Sequence, residues 1–249
     1  MNKKHGIRLW AVLFWLCVWQ AASMALGSEL LLVSPVRVIL RLSEMVREAQ
    51  FWRAILFTLM RIALGFLLAW LSGCLLASLS SFLRPVRDLL SPLMLAIRTV
   101  PVASFIILAL IWLPSRNLSV LISFLMVLPI LYTNVLDGIL SVDNKLLEMA
   151  QVFRVTPVRR VRYIYLPQVM PFMLTGCRVG LGLCWKAGVA AEVIGMPRGS
   201  IGERLQQAKV YLDTPDMFAW TLVIVLASVC FERLVLWLLK AAARRIGRG

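Results

Sequence analysis

The chain has 249 residues, of which 61% are hydrophobic and 16% are charged, and its mean hydropathy is +0.85. Soluble domains carry about 25% charged residues, so this composition excludes an ordinary soluble domain and a disordered chain. The net charge of +15, in so apolar a chain, indicates membrane topology and contact with anionic lipids rather than nucleic-acid binding. We therefore predict a protein that crosses a membrane several times.

Several kinds of catalytic and metal site are excluded by the residues present. His5 is the single histidine, which rules out a Ser/His/Asp triad and an HExxH zinc site. The sequence has no Gly-Lys-Ser/Thr, so it lacks the phosphate-binding loop of ATPases. The five cysteines lie in apolar stretches without a C-x-x-C pair. We predict no catalytic residue, no metal and no cofactor on this chain.

The first 50 residues contain an apolar segment and an amphipathic one. Residues 10–26 are uncharged and follow three basic residues, which predicts a transmembrane helix. The small residues at 25–27 also fit a signal-peptide cleavage site, but we expect the helix to be retained. Residues 28–50 have helical spacing of apolar side chains among charges. An amphipathic helix on the outer membrane surface and a solvated linker helix fit this segment equally well.

Five further apolar segments follow. They lie at residues 62–83, 89–115, 117–136, 167–194 and 217–239. The second of these is interrupted by Arg98 and Pro101, and the fourth carries three ionisable residues. With the first segment they predict six transmembrane helices. The expected organisation is an N-terminal part at 1–50, a five-helix core at 51–240 and a basic tail at 241–249.

The distribution of basic residues predicts the orientation. If the N-terminus is cytoplasmic, the inner segments hold roughly twice as many lysines and arginines as the outer ones. We therefore expect both termini in the cytoplasm.

The inner loop at residues 143–167 is the most informative stretch. A short helix is predicted at about 143–153, and Thr156 and Pro157 suit the cap and first position of a second helix. Leu166 precedes Pro167, and such a residue is disfavoured in the α region, so we expect the second helix to end there. Two short helices joined by a turn form a rigid protrusion, which we call the elbow. It suits insertion into a partner's groove better than catalysis.

The elbow resembles the loop of permease subunits of ABC importers, which has the pattern EAA, three residues, Gly, nine residues, I-x-L-P. The matching residues are Glu148, Ala150, Ile164, Leu166 and Pro167. Met149 replaces an Ala and Arg154 replaces the Gly. If the turn needs a left-handed residue, arginine there costs about 1 kcal/mol or more. The turn is then either shaped differently, or Arg154 contacts the partner.

Three other segments are similar to the nitrate, sulfonate and taurine group of these permeases. They are Thr58 to Phe66, Arg98 to Trp112, and Gly176 to Glu192. The resemblance implies a type I importer permease bundle in the bacterial cytoplasmic membrane that moves a small solute, such as a sulfonate, nitrate, taurine or a vitamin precursor. It also implies two permease subunits, cytoplasmic ATPase subunits that hold ATP and Mg²⁺, and an extracytoplasmic solute-binding protein. The residues expected to couple to the ATPase are Leu146, Leu147, Glu148, Ala150, Phe153, Arg154, Thr156, Pro157, Ile164, Leu166 and Pro167.

The candidates for the translocation path lie within or beside the apolar segments. They are Arg98, Pro101, Arg178, Lys186 and Glu192. Ionisable residues in such places usually face a bundle interior or a cavity, so pathway and structural roles are both open. The alternative function is a self-sufficient secondary transporter or channel, although the internal repeats typical of secondary transporters are absent from the sequence.

Overall fold

The computed structural model describes residues 9–27 and 32–246, and every regular element in them is helical. The first half contains α1 (Leu9–Leu26), α2 (Pro35–Met45), α3 (Ala49–Phe82), α4 (Arg84–Thr99), α5 (Val102–Trp112) and α6 (Ser115–Leu140). The second half contains α7 (Asn144–Val152), α8 (Pro157–Arg160), a π-helical turn (Val161–Tyr165), α9 (Leu166–Gly195), α10 (Ile201–Val210) and α11 (Thr214–Ile246). The prediction of an all-helical protein is confirmed. The N-terminal lysines and the last three residues of the predicted basic tail lie outside the described residues.

Three helices in the described part of the chain are long and apolar enough to cross a membrane: α3, α6 and the first 28 residues of α11. The α4–α5 pair makes a fourth if it is counted as one bent span, and α1 is a shorter apolar helix. The described part of the chain therefore contains three to four candidate spans, as expected of a membrane protein with several crossings. The count of six remains a prediction.

The centre of the molecule is formed by α3, α6 and α9. Its buried side chains include Ile62, Phe66, Leu131, Leu181 and Trp185. Lipid tails are as apolar as these side chains, so close van der Waals packing holds such helices together. Small residues at the contacts allow that approach.

Helices α3 and α6 run parallel to each other. Gly65 lies so close to α6 that a Cβ atom would be 2.8 Å from the Cβ of Ser123. Two turns further along, a Cβ at Gly73 would be 3.0 Å from that of Leu131. Because both contacts advance in the same direction, the two helices start at one end of the bundle and finish at the other.

Helix α9 runs in the opposite direction. Gly176, near its start, packs against Asn134 towards the end of α6, and Gly195, at its finish, packs against Leu118 near the start of α6. The chain therefore reverses between α6 and α9. The elbow lies at this reversal.

The third predicted crossing is broken into two helices. Helices α4 and α5 meet at an angle of 104°. Val100 is extended at the break, with φ of −73° and ψ of 130°, because Pro101 follows it. The sequence had predicted one crossing interrupted by Arg98 and Pro101, whereas the structure has two helices with a sharp bend between them.

Helix α2 packs on one face and is exposed on the other. Val38 and Met45 join a buried cluster that includes Phe51 and Trp220. Ser34 caps the helix by accepting from the amide of Arg37 at 3.4 Å. The apolar side chains of Val36, Ile39 and Leu40 are exposed. The amphipathic helix predicted within residues 28–50 is present.

Candidate coupling elbow and translocation residues

The first helix of the elbow forms where the sequence predicts it. The carboxylate of Asp143 accepts from the amide of Lys145 at 2.9 Å and caps α7. At the other end, the amide of Val155 donates to the carbonyl of Ala150 at 2.8 Å, and that of Arg154 donates to Gln151 at 3.0 Å. These two bonds form the Schellman motif that closes many helices.

Arg154 occupies the left-handed position of that motif, with φ of 50°. Glycine is the usual residue there because it has no Cβ atom to clash. The turn therefore keeps its left-handed form although arginine replaces glycine. Of the two alternatives, a differently shaped turn does not apply. The side chain of Arg154 is exposed, so it is available for a contact with a partner.

The second helix of the elbow does not end where the sequence predicted. Thr156 is the extended residue before α8 and Pro157 is the first helical one, but the Thr156 side chain makes no capping hydrogen bond. The prediction that Leu166 and Pro167 end the helix is wrong, because the chain continues through the π-helical turn into α9. The amide of Leu166 donates to Val161, five residues back, and this wider turn accommodates the missing N–H and the ring of Pro167.

The exposed face of α7 differs from the expected one. Ala150 is 1% exposed, so it packs inside this chain. We had expected Ala150 to lie on the docking surface, and the structure does not place it there. Leu146 and Leu147 are half-buried. Three apolar side chains at the end of α7 and directly after it are exposed among polar ones: Met149 is 49% exposed, Val152 78% and Phe153 74%. Three exposed apolar residues on one short helix indicate a contact surface.

Glu148 is exposed and has no hydrogen bond or ion pair with another described residue. Asp143, rather than Glu148, stabilises the helix start. Ile164 lies half-buried in the π-helical turn. This turn packs beside the ends of α3 and α6, where Tyr165 lines a cavity of about 120 Å³. The base of the elbow is thus joined to the central bundle.

Two of the translocation candidates lie on an exposed side of α9. Arg178 and Lys186 are both exposed, and neither has a hydrogen bond or ion pair within the described residues. They are separated by eight residues, or about 12 Å along the helix. A Cβ atom added at Gly182, between them, would meet no atom within 4 Å. This side of α9 is therefore open, and it carries two unpaired cations.

Arg98 and Pro101 belong to the bend between α4 and α5. The guanidinium of Arg98 donates to the carbonyl of Pro129 at 2.9 Å and to the hydroxyl of Thr133. These bonds attach the last turn of α4 to α6. Pro101 is exposed at the break.

Glu192 lies in a third environment. Its carboxyl group is fully buried and accepts from the hydroxyl of Thr58 at 2.6 Å. That hydroxyl accepts from the amide of Ile201 at 3.0 Å, and the amide of Gly202 reaches the carboxyl group at 3.4 Å. A Cβ atom at Gly202 would overlap the Cβ of Glu192. Glu192 thus joins α3, α9 and the start of α10.

Sequence analysis did not identify the residues around Glu192. Thr58 lies in a segment that resembles the permease group, but its role as a donor to Glu192 was not foreseen. Ser119 of α6, which is also buried near Glu192, and Gly202 carried no recognisable signal, because the partner residues are distant in sequence. The five candidates therefore form three separate places in the structure rather than one site.

Comparison with known proteins identifies relatives along most of the chain. Residues 62–248 match the family described as binding-protein-dependent transport system inner membrane component. The putative aliphatic sulfonates transport permease protein SsuC of Bacillus subtilis is 30% identical over 217 residues, covering 86% of this chain and 77% of the relative. The taurine transport system permease protein TauC of Escherichia coli is 28% identical, with 92% and 82% covered. The bicarbonate transport system permease protein CmpB of Synechococcus elongatus is 24% identical, with 79% and 70% covered.

Proposed function

We propose a transport mechanism for this chain, which belongs to the family of binding-protein-dependent transport system inner membrane components and is the permease subunit of an ABC importer. The observation that carries this conclusion is the family match over residues 62–248, which includes the elbow and the central bundle. The chain forms the membrane path, and chemical energy enters through separate ATPase subunits that hold ATP and Mg²⁺.

The chain crosses the membrane six times, with both termini in the cytoplasm. The parallel arrangement of α3 and α6 supports this topology. Two helices that run in the same direction need a crossing between them that brings the chain back, and the bent α4–α5 pair supplies it. Helix α11 follows the direction of α3, since Phe51 and Trp220 stack at 5.3 Å near the start of both helices. The ring of Trp19 lies 5.7 Å from that of Phe218, and this contact supports an outer position for the end of α1 as well.

The elbow transmits movement between the permease and the ATPase. Its exposed face, formed by Met149, Val152 and Phe153, enters a groove on the ATPase subunit. The continuous connection through the π-helical turn into α9 supports this role, because it gives the elbow a helical attachment to the helix that carries Arg178 and Lys186. Closure of the ATPase dimer on ATP would therefore move α9 as a rigid element.

A second copy of the chain completes the path. The open side of α9 faces this copy, so Arg178 and Lys186 line a channel between the two subunits. Relatives are named for aliphatic sulfonates, taurine and bicarbonate, which all contain an acidic oxygen group, and also for formylaminopyrimidine, which does not. We assign the solute to the first class, small molecules with an oxyanion, because two unpaired cations attract such a group, and a vitamin-precursor-like solute is the alternative. An extracytoplasmic binding protein delivers it.

Reconstitution tests this function. The chain, its ATPase and its binding protein are placed in proteoliposomes, and uptake of radiolabelled taurine, an alkanesulfonate and bicarbonate is measured with and without ATP. We expect ATP-dependent uptake of one such oxyanion that requires all three components. A matched preparation with a catalytically inactive ATPase should show none. Uptake by the chain alone, driven by an ion gradient, would contradict the proposal and favour a secondary transporter.

A further inference from the structure

Glu192 is an acidic residue in an environment that does not suit an anion. Its side chain is 0% exposed, as are those of Thr58 and Ser119 beside it. Burying an ionised carboxylate is costly unless hydrogen bonds and a cation compensate for the lost water. The hydrogen bonds around the group can therefore be used to decide its charge.

The donors reach only one of its two oxygens. Oε2 accepts from the hydroxyl of Thr58 at 2.6 Å and, at the longer distance of 3.4 Å, from the amide of Gly202. Oε1 has no hydrogen-bond partner among the described residues, because the hydroxyl of Ser119, which lies in the same region, is not in hydrogen-bond geometry with it. An ionised carboxylate would need donors on both oxygens.

No cation in the described part of the chain forms an ion pair with the Glu192 carboxyl group. Arg61 on α3 is the cation with an electrostatic effect on Glu192. Its guanidinium, however, lies over the ring of Phe57 at 3.7 Å from the centroid and donates to the carbonyl of Arg116. The start of α10 favours an anion weakly, through the single long bond from Gly202. That contribution is small beside the penalty for an unpaired buried charge.

A protonated carboxylic acid satisfies the same geometry. Oε2 is then the carbonyl oxygen, which accepts the two bonds observed. Oε1, to which no described group donates, then carries the proton.

We propose that Glu192 is a neutral carboxylic acid that holds its proton on Oε1 and joins α3 and α10 at the end of α9. Glu192 is a positioning residue: it sets where α10 begins, and so where α10 leads into α11. A neutral group can part from Thr58 and Gly202 without leaving an unpaired charge. This inference does not depend on the transport function.

Infrared spectroscopy of the full chain in phosphatidylcholine nanodiscs at neutral pH tests the proposal. The difference spectrum between the wild type and Glu192→Gln should contain the C=O stretch of a protonated carboxylic acid, shifted to lower wavenumber in D₂O. Glutamine has the same shape and keeps the oxygen that accepts from Thr58, so this variant should keep the thermal stability of the wild type. Glu192→Ala should lower it, because Thr58 loses its acceptor.

Glu203 provides a matched control on α10. It is half-exposed and accepts from the amide of Gly199 at 2.5 Å, so Glu203→Gln should alter only carboxylate bands. A Glu192→Gln difference spectrum with carboxylate bands and no protonated C=O stretch would overturn the proposal.

If Glu192→Gln does not fold, Thr58→Val replaces it. Removing the donor to Oε2 should move the protonated C=O stretch to higher wavenumber. A wild-type spectrum without this band, or a band that Thr58→Val leaves in place, would equally overturn the proposal.

Discussion

The amide of Val155 donates to the carbonyl of Ala150 over 2.8 Å, and this bond closes the turn in which Arg154 takes a φ of 50°. The bond folds the chain back over the end of α7. It keeps Ala150 buried and leaves Val152 and Phe153 exposed. The elbow thus owes its shape to hydrogen bonds of the backbone. A residue other than glycine is therefore tolerated at position 154, but its Cβ atom makes the left-handed conformation less stable.

That cost leads to the first prediction. Arg154→Gly should stabilise the permease by about 1 kcal/mol, because glycine adopts the left-handed conformation without the clash of a Cβ atom. For a chain of this size the gain corresponds to a rise in Tm of roughly 2–4 °C. Thermal unfolding in detergent measures it. Arg159→Gly, in the ordinary helical part of α8, is the control and should lower stability. A fall in Tm for Arg154→Gly would mean that the arginine side chain makes a stabilising contact.

Much of the elbow could be predicted from sequence because its determinants are local. The helical spacing at residues 143–153 and Thr156 before Pro157 act within one or two turns. The prediction failed at Pro167, because a proline was assumed to end the helix. A wider π-helical turn absorbs it instead, and local sequence rules give no sign of that choice.

The surroundings of Ala150 and Glu192 could not be predicted for a different reason. Their burial depends on contacts with residues far along the chain, such as Thr58, which is 134 residues from Glu192. The periodicity of a segment indicates which residues share a helix face, but it does not indicate which helix covers that face. A small residue within a motif was therefore assigned to a partner's surface, although it packs inside its own chain.

The second prediction concerns the exposed face of the elbow. Phe153→Asp should weaken association with the ATPase at least tenfold, or about 1.4 kcal/mol, because a charge would enter an apolar contact. ATP-dependent uptake should fall with it, while the Tm of the isolated permease stays unchanged. Affinity is measured by titrating labelled ATPase onto permease in nanodiscs. Gln151→Asp is the matched control for added charge on the same helix.

Ala150→Asp should behave differently from Phe153→Asp. Because Ala150 is buried in this chain, the new carboxylate would lose its water inside the permease and lower its Tm. Equal Tm values for Ala150→Asp and wild type, together with lost ATPase binding, would show that Ala150 lies on the docking surface after all.

The third prediction is topological. Single cysteines at positions 2 and 249, in a variant without the native cysteines, should react with a membrane-impermeant maleimide only from the cytoplasmic side. The reason is the basic bias of the inner segments and the even number of crossings. A cysteine at position 198, in the outer loop after α9, is the control and should react from outside. Labelling of either terminus in intact cells would contradict six crossings.

The last prediction concerns Arg178. Arg178→Gln should reduce uptake of the oxyanion at least tenfold while the permease and ATPase still assemble, because Arg178 has no acidic or carbonyl partner within the described residues that would be left unpaired. Arg178→Lys keeps the charge but loses the two-pronged geometry of guanidinium, so it should restore part of the rate. Arg98→Gln is the contrasting variant: it removes the bonds to Pro129 and Thr133 and should lower stability together with uptake. Uptake and assembly are measured on the same proteoliposomes. Loss of assembly in Arg178→Gln would assign this residue to the interface between subunits, and unchanged uptake would remove it from the path.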